Sequence, residues 1–386
     1  MNKILHLSYD LRDRHNREVT TAVSKLINVS RSKFEPFIID LVRVTNPQQE
    51  MIRLKNPEHL MINVFGLPYG LLMNWSQDRA LKRIKKAESR SLVNLNEFSM
   101  VHAHKLTFEG IAGYRLASSL DIPFAVTLRQ TDTYVFNRKP GAVEAFKPII
   151  KSCERFFYLI PQILKRMKRI FGDEFFEKYI EHKAVLLSNI VERNIAKEEA
   201  IVENNVLLTV MRMTKKSVER KNVKRLLAAF KLLNRPDIKL RIVGDGEYLP
   251  TIRSWVNEYN INDKVIFEGA IPNEEIDKYY KSTQAFLLPS ISETFGMVYA
   301  ESLLNGTPIM YSKDYLGFDG YFDGVGAGVD PKSVESIKNG IIDLLENGDT
   351  YRKNILGLDK SGEFKIFSTD YIADKYNSVL AEVSSG

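Results

Sequence analysis

Residues 291–309 read SISETFGMVYAESLLNGTP, with two carboxylates, Glu293 and Glu301, eight apart in a largely apolar run. A strand-like segment, Ala285–Leu288, ends just before it in Pro289-Ser290, and a helix is expected to begin near Phe295-Gly296. Glycine at 296 lets backbone come close to a ligand. The free N–H groups of a first helical turn attract an anion, with the helix dipole behind them. Glu293 precedes that turn and Glu301 lies on it, so one carboxylate sits ahead of a bound phosphate and the other behind it. A nucleotide sugar fits that layout, with sugar hydroxyls at one end, diphosphate in the middle and ribose hydroxyls at the other. The alternative is a solvated loop glutamate and an ordinary surface-helix glutamate.

Cations are available nearby in the sequence. A strand, Val206–Met211, runs into Arg212, and Lys221 stands at a helix start in KNVKRLLAAF. Two cations at the tops of neighbouring elements can neutralise a diphosphate leaving group, although each alone reads as a solvated loop charge. LRIVGDGE (240–247) is a strand ending in a Gly-Asp-Gly turn, and KVIFEGAIPNEEI (264–276) is another strand-to-helix junction.

These residues need a scaffold, and the hydrophobic pattern supplies one. Short apolar runs alternate with longer amphipathic ones, a βαβα rhythm that argues for parallel sheets covered on both faces. Strands are expected at Ile4–Ser8, Pro36–Val42, Leu60–Phe65, Met100–His104, Phe124–Leu128, Phe156–Ile160 and Val185–Leu187. The rhythm restarts with Val206–Met211, Leu240–Val243, Val265–Glu268, Ala285–Leu288 and Pro308–Tyr311. Residues 189–204 are polar and charged between the two series and mark the domain junction. The expected architecture is α/β, with two doubly wound domains (1–190 and 191–365) across a cleft and a closing segment, 366–386, with a helix at Thr369–Glu382. Ligands in such sheets sit at the carboxyl ends of the strands.

Composition narrows the class. A chain of 386 residues is too long for one small core. No uninterrupted apolar stretch reaches the ~18 residues of a membrane span, and MNKILHLSYD lacks the features of a secretory leader. The single cysteine, Cys153, allows no intrachain disulfide and fits a reducing cytoplasm. Histidine and cysteine show no metal-ligand spacing. Residues 1–190 hold 30 Lys+Arg against 19 Asp+Glu, a net of +11, whereas residues 191–386 hold 25 against 29, a net of −4. So basic a first half suggests an anionic partner such as phosphate or an acidic membrane surface. Nucleic acid is disfavoured, because the basic residues come without a nucleic-acid-binding motif.

Taken together, residues 206–331 resemble the C-terminal domain of glycosyltransferase family 4, retaining enzymes with the GT-B fold. Arg212, Lys221, VGDGE, FEGAIP, LLPSISETFGMVYAE, GTPI and DGVGAGVDP (323–331) carry the resemblance, the Glu293–Glu301 spacing most of all. Weaker likeness extends to HAHKLTFEGIAGYRLA with IPFAVTL, and to FSTDYIADKY (367–376), similar to the family's closing helix that crosses back to the N-domain. The resemblance implies that Glu293 holds donor-sugar hydroxyls near the reacting carbon. Phe295, Gly296, Met297 and Val298 then present backbone to sugar and phosphates, and Glu301 takes the ribose hydroxyls. Arg212 and Lys221 bind the leaving diphosphate; Ala270 and Ile271 lie beside the base. The family generally needs no metal, and the chain has no Asp-x-Asp; no cofactor is expected beyond the nucleotide-sugar donor.

Two departures fall in the first half. The family's Gly-Gly turn after the first strand is replaced by SYDLRDRHNREVTT (8–21), where Arg12, Arg14 or Arg17 offers a side chain to phosphate instead. The usual His-Gly is replaced by Arg129-Gln130, followed by Asp132. Arginine cannot act as a base near neutral pH, but it can hold an oxyanion in a bidentate grip. His104, ending its strand in VHAHK, is a further candidate, with a structural role as the alternative. LKRIKKAESR (81–90), after the apolar LPYGLLMNW (67–75), and ILKRMKRIF (163–171) are basic and amphipathic, as a peripheral enzyme with a lipid-linked acceptor would need. Two ordinary helices packed on the sheet are the alternative. The leading expectation is a retaining, metal-independent glycosyltransferase acting on a glycan or lipid-linked glycan, cytoplasmic or at the inner face of the plasma membrane. A GT-B epimerase or phosphorylase, or a catalytically degenerate donor-binding partner, are the competing readings.

Overall fold

The structure, a computed structural model, describes residues 1–9, 11, 21–44, 52–65, 73–138, 140–192, 202–315 and 317–385. Arg12, Arg14, Arg17, much of the apolar run 67–75 and most of the proposed junction 189–204 lie outside them. The chain divides into two compact units. One comprises residues 1–159, 163–190 and 369–386, and the other residues 160–162 and 191–368.

The first unit is built on β1 (Lys3–Tyr9), β2 (Glu35–Val44), β3 (Ile52–Asn56), β4 (His59–Phe65), β5 (Phe98–Ala103), β6 (Phe124–Leu128), β7 (Arg155–Tyr158) and β8 (Ala184–Leu186), in the order β3-β4-β2-β1-β5-β6-β7-β8. All pairs are parallel except β3 with β4. The central strands are apolar along their whole length because helices cover both faces. β6 shows the result: all five residues of FAVTL are buried. The edge strand β3 was not expected, because Arg53 and Lys55 interrupt its apolar pattern. Charge of this kind is common at a sheet edge, where it discourages pairing with another chain. The last helix, Thr369–Ser385, packs in this unit, with Ile372, Tyr376, Leu380 and Val383 joining Ile4, Met100 and Phe157 in one core.

The second unit carries β9 (Glu203–Val210), β10 (Lys239–Val243), β11 (Val265–Gly269), β12 (Thr283–Leu287), β13 (Ile309–Ser312) and β14 (Gly326–Val329), all parallel, ordered β11-β10-β9-β12-β13-β14. Its short strand β14, GAGV, also escaped the sequence reading. Two glycines give it little strand propensity; it holds because its register places it on β13.

The two basic helices spend their apolar sides internally. In Met73–Ser89, Ala80, Ile84 and Ala87 are fully buried, leaving Lys82, Lys85 and Lys86 outside. Pro161–Phe171 buries Ile163 and Met167 and exposes Lys165 and Arg169. Among the described residues, no helix is long and apolar enough to cross a membrane.

Candidate active site

In each sheet the strand order reverses direction once, and the carboxyl ends flanking the reversal form a natural crevice. In the second sheet the reversal lies between β9 and β12. Arg212 and Lys221 follow β9, and Glu293 and Glu301 follow β12, so topology brings the separated charges of the sequence to one place.

Lys221 ends the short helix Lys215–Arg220. Both of its chain neighbours are tied to the segment that carries Glu293. Ile291 N donates to Arg220 O at 2.8 Å. The buried Asn222 side chain donates to Pro289 O at 3.1 Å and Pro331 O at 2.6 Å. These ties bring Lys221 Nζ to 3.8 Å from Glu293 Oε2, with both side chains largely shielded. Burial holds the Lys221 ammonium below its usual range, while the Glu293 and Glu301 carboxylates pull the other way. A cation whose burial penalty is only partly offset by neighbouring carboxylates would gain from a further anion such as a diphosphate.

Gly296 enters the helix Met297–Leu304 in the left-handed region, with φ 78° and ψ 67°. A Cβ there would lie 2.4 Å from the Tyr299 ring and 3.1 Å from Glu293 Cγ. The glycine therefore seats the Glu293 loop against Tyr299, whose hydroxyl donates to Leu288 O at 2.5 Å. Met297 and Val298 form the first helical turn. The Phe295 side chain is core, 2% exposed, packed edge-on against Phe318, Tyr321 and Phe367; only its backbone is available to a ligand. One turn along the helix, Glu301 accepts from the Tyr280 hydroxyl at 3.0 Å. Ile271 is half-buried and Ala270 exposed in the loop after β11.

Arg212 is exposed and has no ion pair among the described residues. Its backbone, however, is fixed. Met211 N and Met213 N donate to Val243 O and Asp245 O at 3.0 and 2.9 Å. The close approach explains the Gly-Asp-Gly turn: a Cβ on Gly244 would sit 1.8 Å from Met211 O. That turn looked generic in the sequence, yet it presses on the backbone either side of Arg212.

The first sheet reverses between β1 and β5. Of the candidates here, Asp132 and His104 are buried. Asp132 is fully buried and both carboxylate oxygens are occupied: Oδ1 accepts from Thr107 N (2.8 Å) and Thr107 Oγ1 (2.7 Å), and Oδ2 from Arg129 N (2.7 Å). This geometry caps the helix Gln130–Arg138 and contrasts with the expected contact to substrate. Arg129 is half-buried, and its Nε donates to His104 O at 2.9 Å.

His104 lies in a buried stack with His6 and His102, their nearest ring nitrogens all within 4.8 Å. Linear spacing hid this trio, since His6 stands on β1 and the other two near the end of β5. His6 Nδ1 meets His104 Nε2 at 3.3 Å. His102 is bonded on both sides, to Tyr376 Oη at 2.6 Å and Thr127 Oγ1 at 2.8 Å. Burial lowers all three, His6 to about 3, and Arg129 beside His102 and His104 lowers those two further. The surroundings suit neutral rings in a hydrogen-bonded stack.

Two residues that the sequence reading missed stand out. Tyr280 gave no signal beyond an aromatic on a helix. Glu109, first residue of the helix Glu109–Leu120, is fully buried; its Oε1 accepts from Tyr9 N at 3.2 Å. Its Oε2 has no hydrogen-bond partner among the described residues. Burial raises its carboxyl to about 7, against the opposing pull of Lys105.

Residues 191–355 match the family model described as glycosyl transferases group 1. Over these residues the second unit is similar to group 1 glycosyl transferases. A curated relative, alpha-monoglucosyldiacylglycerol synthase of Streptococcus pneumoniae, is 38% identical over 111 residues, covering 28% of this chain and 25% of that protein. The matches span only 25%, 43% and 36% of the first three curated relatives. Solved structures extend the likeness of fold beyond these residues. Sucrose-phosphate synthase from Thermosynechococcus elongatus superposes with a TM-score of 0.68 at 17% identity, covering 100% of both chains. The Anabaena HepE protein, crystallised with UDP-glucose, gives 0.61 at 14% identity, covering 98% of this chain and 99% of its own. The fold is GT-B.

Proposed function

We propose that the protein is a retaining, metal-independent glycosyltransferase of family 4. It moves a sugar from a nucleotide-sugar donor to a glycan or lipid-linked glycan in the synthesis of a surface polysaccharide, lipopolysaccharide or glycolipid. The observation that carries this reading is the Lys221–Glu293 pair, set beside Glu301 and the first turn of Met297–Leu304 inside the segment similar to group 1 glycosyl transferases. Glu293 holds hydroxyls of the donor sugar. Lys221 and Arg212 bind the diphosphate and stabilise its charge as it leaves. Gly296, Met297 and Val298 offer backbone N–H groups, Glu301 takes the ribose and Ile271 borders the base. The acceptor hydroxyl attacks on the face the leaving phosphate vacates, and that phosphate takes its proton. No enzymic nucleophile or metal is then required, in keeping with the lack of Asp-x-Asp.

A nucleotide-sugar donor gains support from HepE, a neighbour crystallised with UDP-glucose. The lipid-linked acceptor gains support from the pneumococcal relative, whose name specifies a diacylglycerol glycolipid. Exposed Lys82, Lys85 and Lys86 give the first unit a cationic surface suited to an anionic bilayer at the cytoplasmic face. Arg129 is a cation near the mouth of the first sheet, and it suits an anionic group of the acceptor.

The test is a thermal-shift screen with UDP-, GDP-, ADP-, CMP- and dTDP-sugars in the presence of EDTA, followed by transfer assays with the donor that binds. Saturation near 100 times Kd should add roughly 2.7 kcal/mol of stability. One base family is expected to shift the melting curve, and the shift should disappear in Glu301→Ala. No shift with any donor would refute the donor site.

A further inference from the structure

Three histidines scattered in the sequence converge on one face of the first sheet. His6 on β1 stands beside His102 on β5 in the parallel register. Paired residues of neighbouring strands share a face, and so does a residue two positions on. His104 keeps that relation past the end of β5, because its N–H donates to Leu7 O at 3.0 Å. All three side chains are fully buried. Each offers one ring nitrogen within 4.8 Å of the other two.

A stack held by hydrogen bonds alone leaves His6 Nε2 and His104 Nδ1 buried without hydrogen-bond partners among the described residues, which is costly. Ligand bonds to an ion would offset that cost. The contact between these two rings, His6 Nδ1 to His104 Nε2, spans 3.3 Å. Two nitrogens bound to one tetrahedral ion at about 2.0–2.1 Å stand roughly 3.3–3.4 Å apart, so the pair has the spacing of two ligands. His102 meets Tyr376 Oη with one ring nitrogen at 2.6 Å and Thr127 Oγ1 with the other at 2.8 Å. When one nitrogen turns to an ion, the partner on the other still fixes the ring, as outer contacts of ligating histidines do. Burial keeps the rings neutral, and neutral imidazole is the ligating form. The charge of Arg129 acts on His102 and His104, while Glu109 and Asp132 act in turn on Arg129. Three imidazoles suit zinc and its first-row neighbours, whereas magnesium and calcium take oxygen ligands.

We propose that His6, His102 and His104 hold a zinc ion that fastens β1 to β5 beneath the last helix. The ion is structural: its ligands are sealed from solvent, and sugar transfer at the proposed donor site does not use it. The test uses the full chain, produced without a polyhistidine tag in zinc-supplemented medium, freed of loosely bound metal and analysed by elemental mass spectrometry. Near-stoichiometric zinc is expected in the wild type and in His182→Gln, whose histidine is exposed. His6→Gln and His104→Gln should each hold roughly tenfold less or lower still. Refolding the wild type with cobalt(II) in place of zinc should give the intense visible bands of a tetrahedral cobalt site. That readout needs no variant and decides the question if His6→Gln and His104→Gln fail to fold. Absence of the cobalt bands, a wild type free of zinc, zinc retained in folded His6→Gln or His104→Gln, or zinc lost equally from His182→Gln would each overturn the site.

Discussion

The crevices of the two sheets use polar residues in opposite ways. At the mouth between β9 and β12, Lys221, Glu293 and Glu301 remain partly exposed, with Lys221 Nζ 3.8 Å from Glu293 Oε2. Between β1 and β5, His6, His102, His104, Glu109 and Asp132 are fully buried, and most of their polar atoms are taken up by neighbouring protein groups. The first arrangement keeps charge partly exposed, where the proposed donor would meet it; the second turns polar groups inward. A titratable residue at a strand end is therefore informative only once its hydrogen-bond partners are known.

The sharpest way to test this contrast is to remove function from one crevice and structure from the other. Glu293→Gln should lower transfer at least ~100-fold, equivalent to about 2.7 kcal/mol, with the melting temperature within a degree or two of wild type. Full activity would dismiss the carboxylate from the reaction. Asp132→Ala should do the reverse. It strands three buried donors, Thr107 N, Thr107 Oγ1 and Arg129 N, and unsatisfied buried groups cost about 1–3 kcal/mol each. Chemical denaturation should show a loss of roughly 3 kcal/mol, while the Kd for the donor nucleotide stays within a factor of two. Weaker nucleotide binding without a stability change would return Asp132 to the list of ligand-binding residues.

Legibility in the sequence followed the same divide. Twelve expected strands were found because continuous apolar runs between amphipathic helices read clearly for parallel sheets. β3 and β14 were hidden, the one by edge charges and the other by glycines. In the second unit the ordered motifs named Lys221 and Glu293, which the strand reversal brings to 3.8 Å of each other, because each lies in a short segment after a strand end. Tyr280 was illegible: its contact with Glu301 crosses 21 residues, and a buried tyrosine on a helix normally signals core. The histidine stack needed two strands aligned in register, His6 beside His102, which periodicity does not supply. Asp132 was over-read, because a capping carboxylate and a ligand-binding one look the same until the helix start is placed.

Glu109 makes the buried crevice testable through pH. Its folded carboxyl is raised from 4.5 to about 7, so between those values the unfolded chain releases a proton that the folded one keeps. Stability contributed by this group is full below about 4.5 and is lost as pH rises to about 7, by about 3 kcal/mol at most. Glu109→Gln retains the acceptor for Tyr9 N and removes the titration. The variant should gain stability relative to wild type at pH 8 and lose that advantage toward pH 5. A constant difference between the two curves would mean that Glu109 ionises normally in the fold.

The smallest effect concerns Tyr376, whose hydroxyl pairs with His102 Nδ1 at 2.6 Å. Tyr376→Phe keeps the ring packed on Phe157 and deletes one buried hydrogen bond, for a loss of about 1 kcal/mol. The pH dependence of that loss carries the information. Folded His102 is held well below 6.5 by burial, with the neighbouring His6 and Arg129 opposing a further charge, whereas the unfolded chain takes up protons as pH falls through about 6.5. Wild type should therefore weaken on acidification, and the variant should weaken in parallel, displaced by the same ~1 kcal/mol at pH 5 and pH 8. Curves that spread apart or converge below pH 6 would mean that the folded ring gains a proton and that Tyr376 responds to it. The stack would then be a titrating site and not scaffold, and the contrast between the two crevices would fail at the residues that define it.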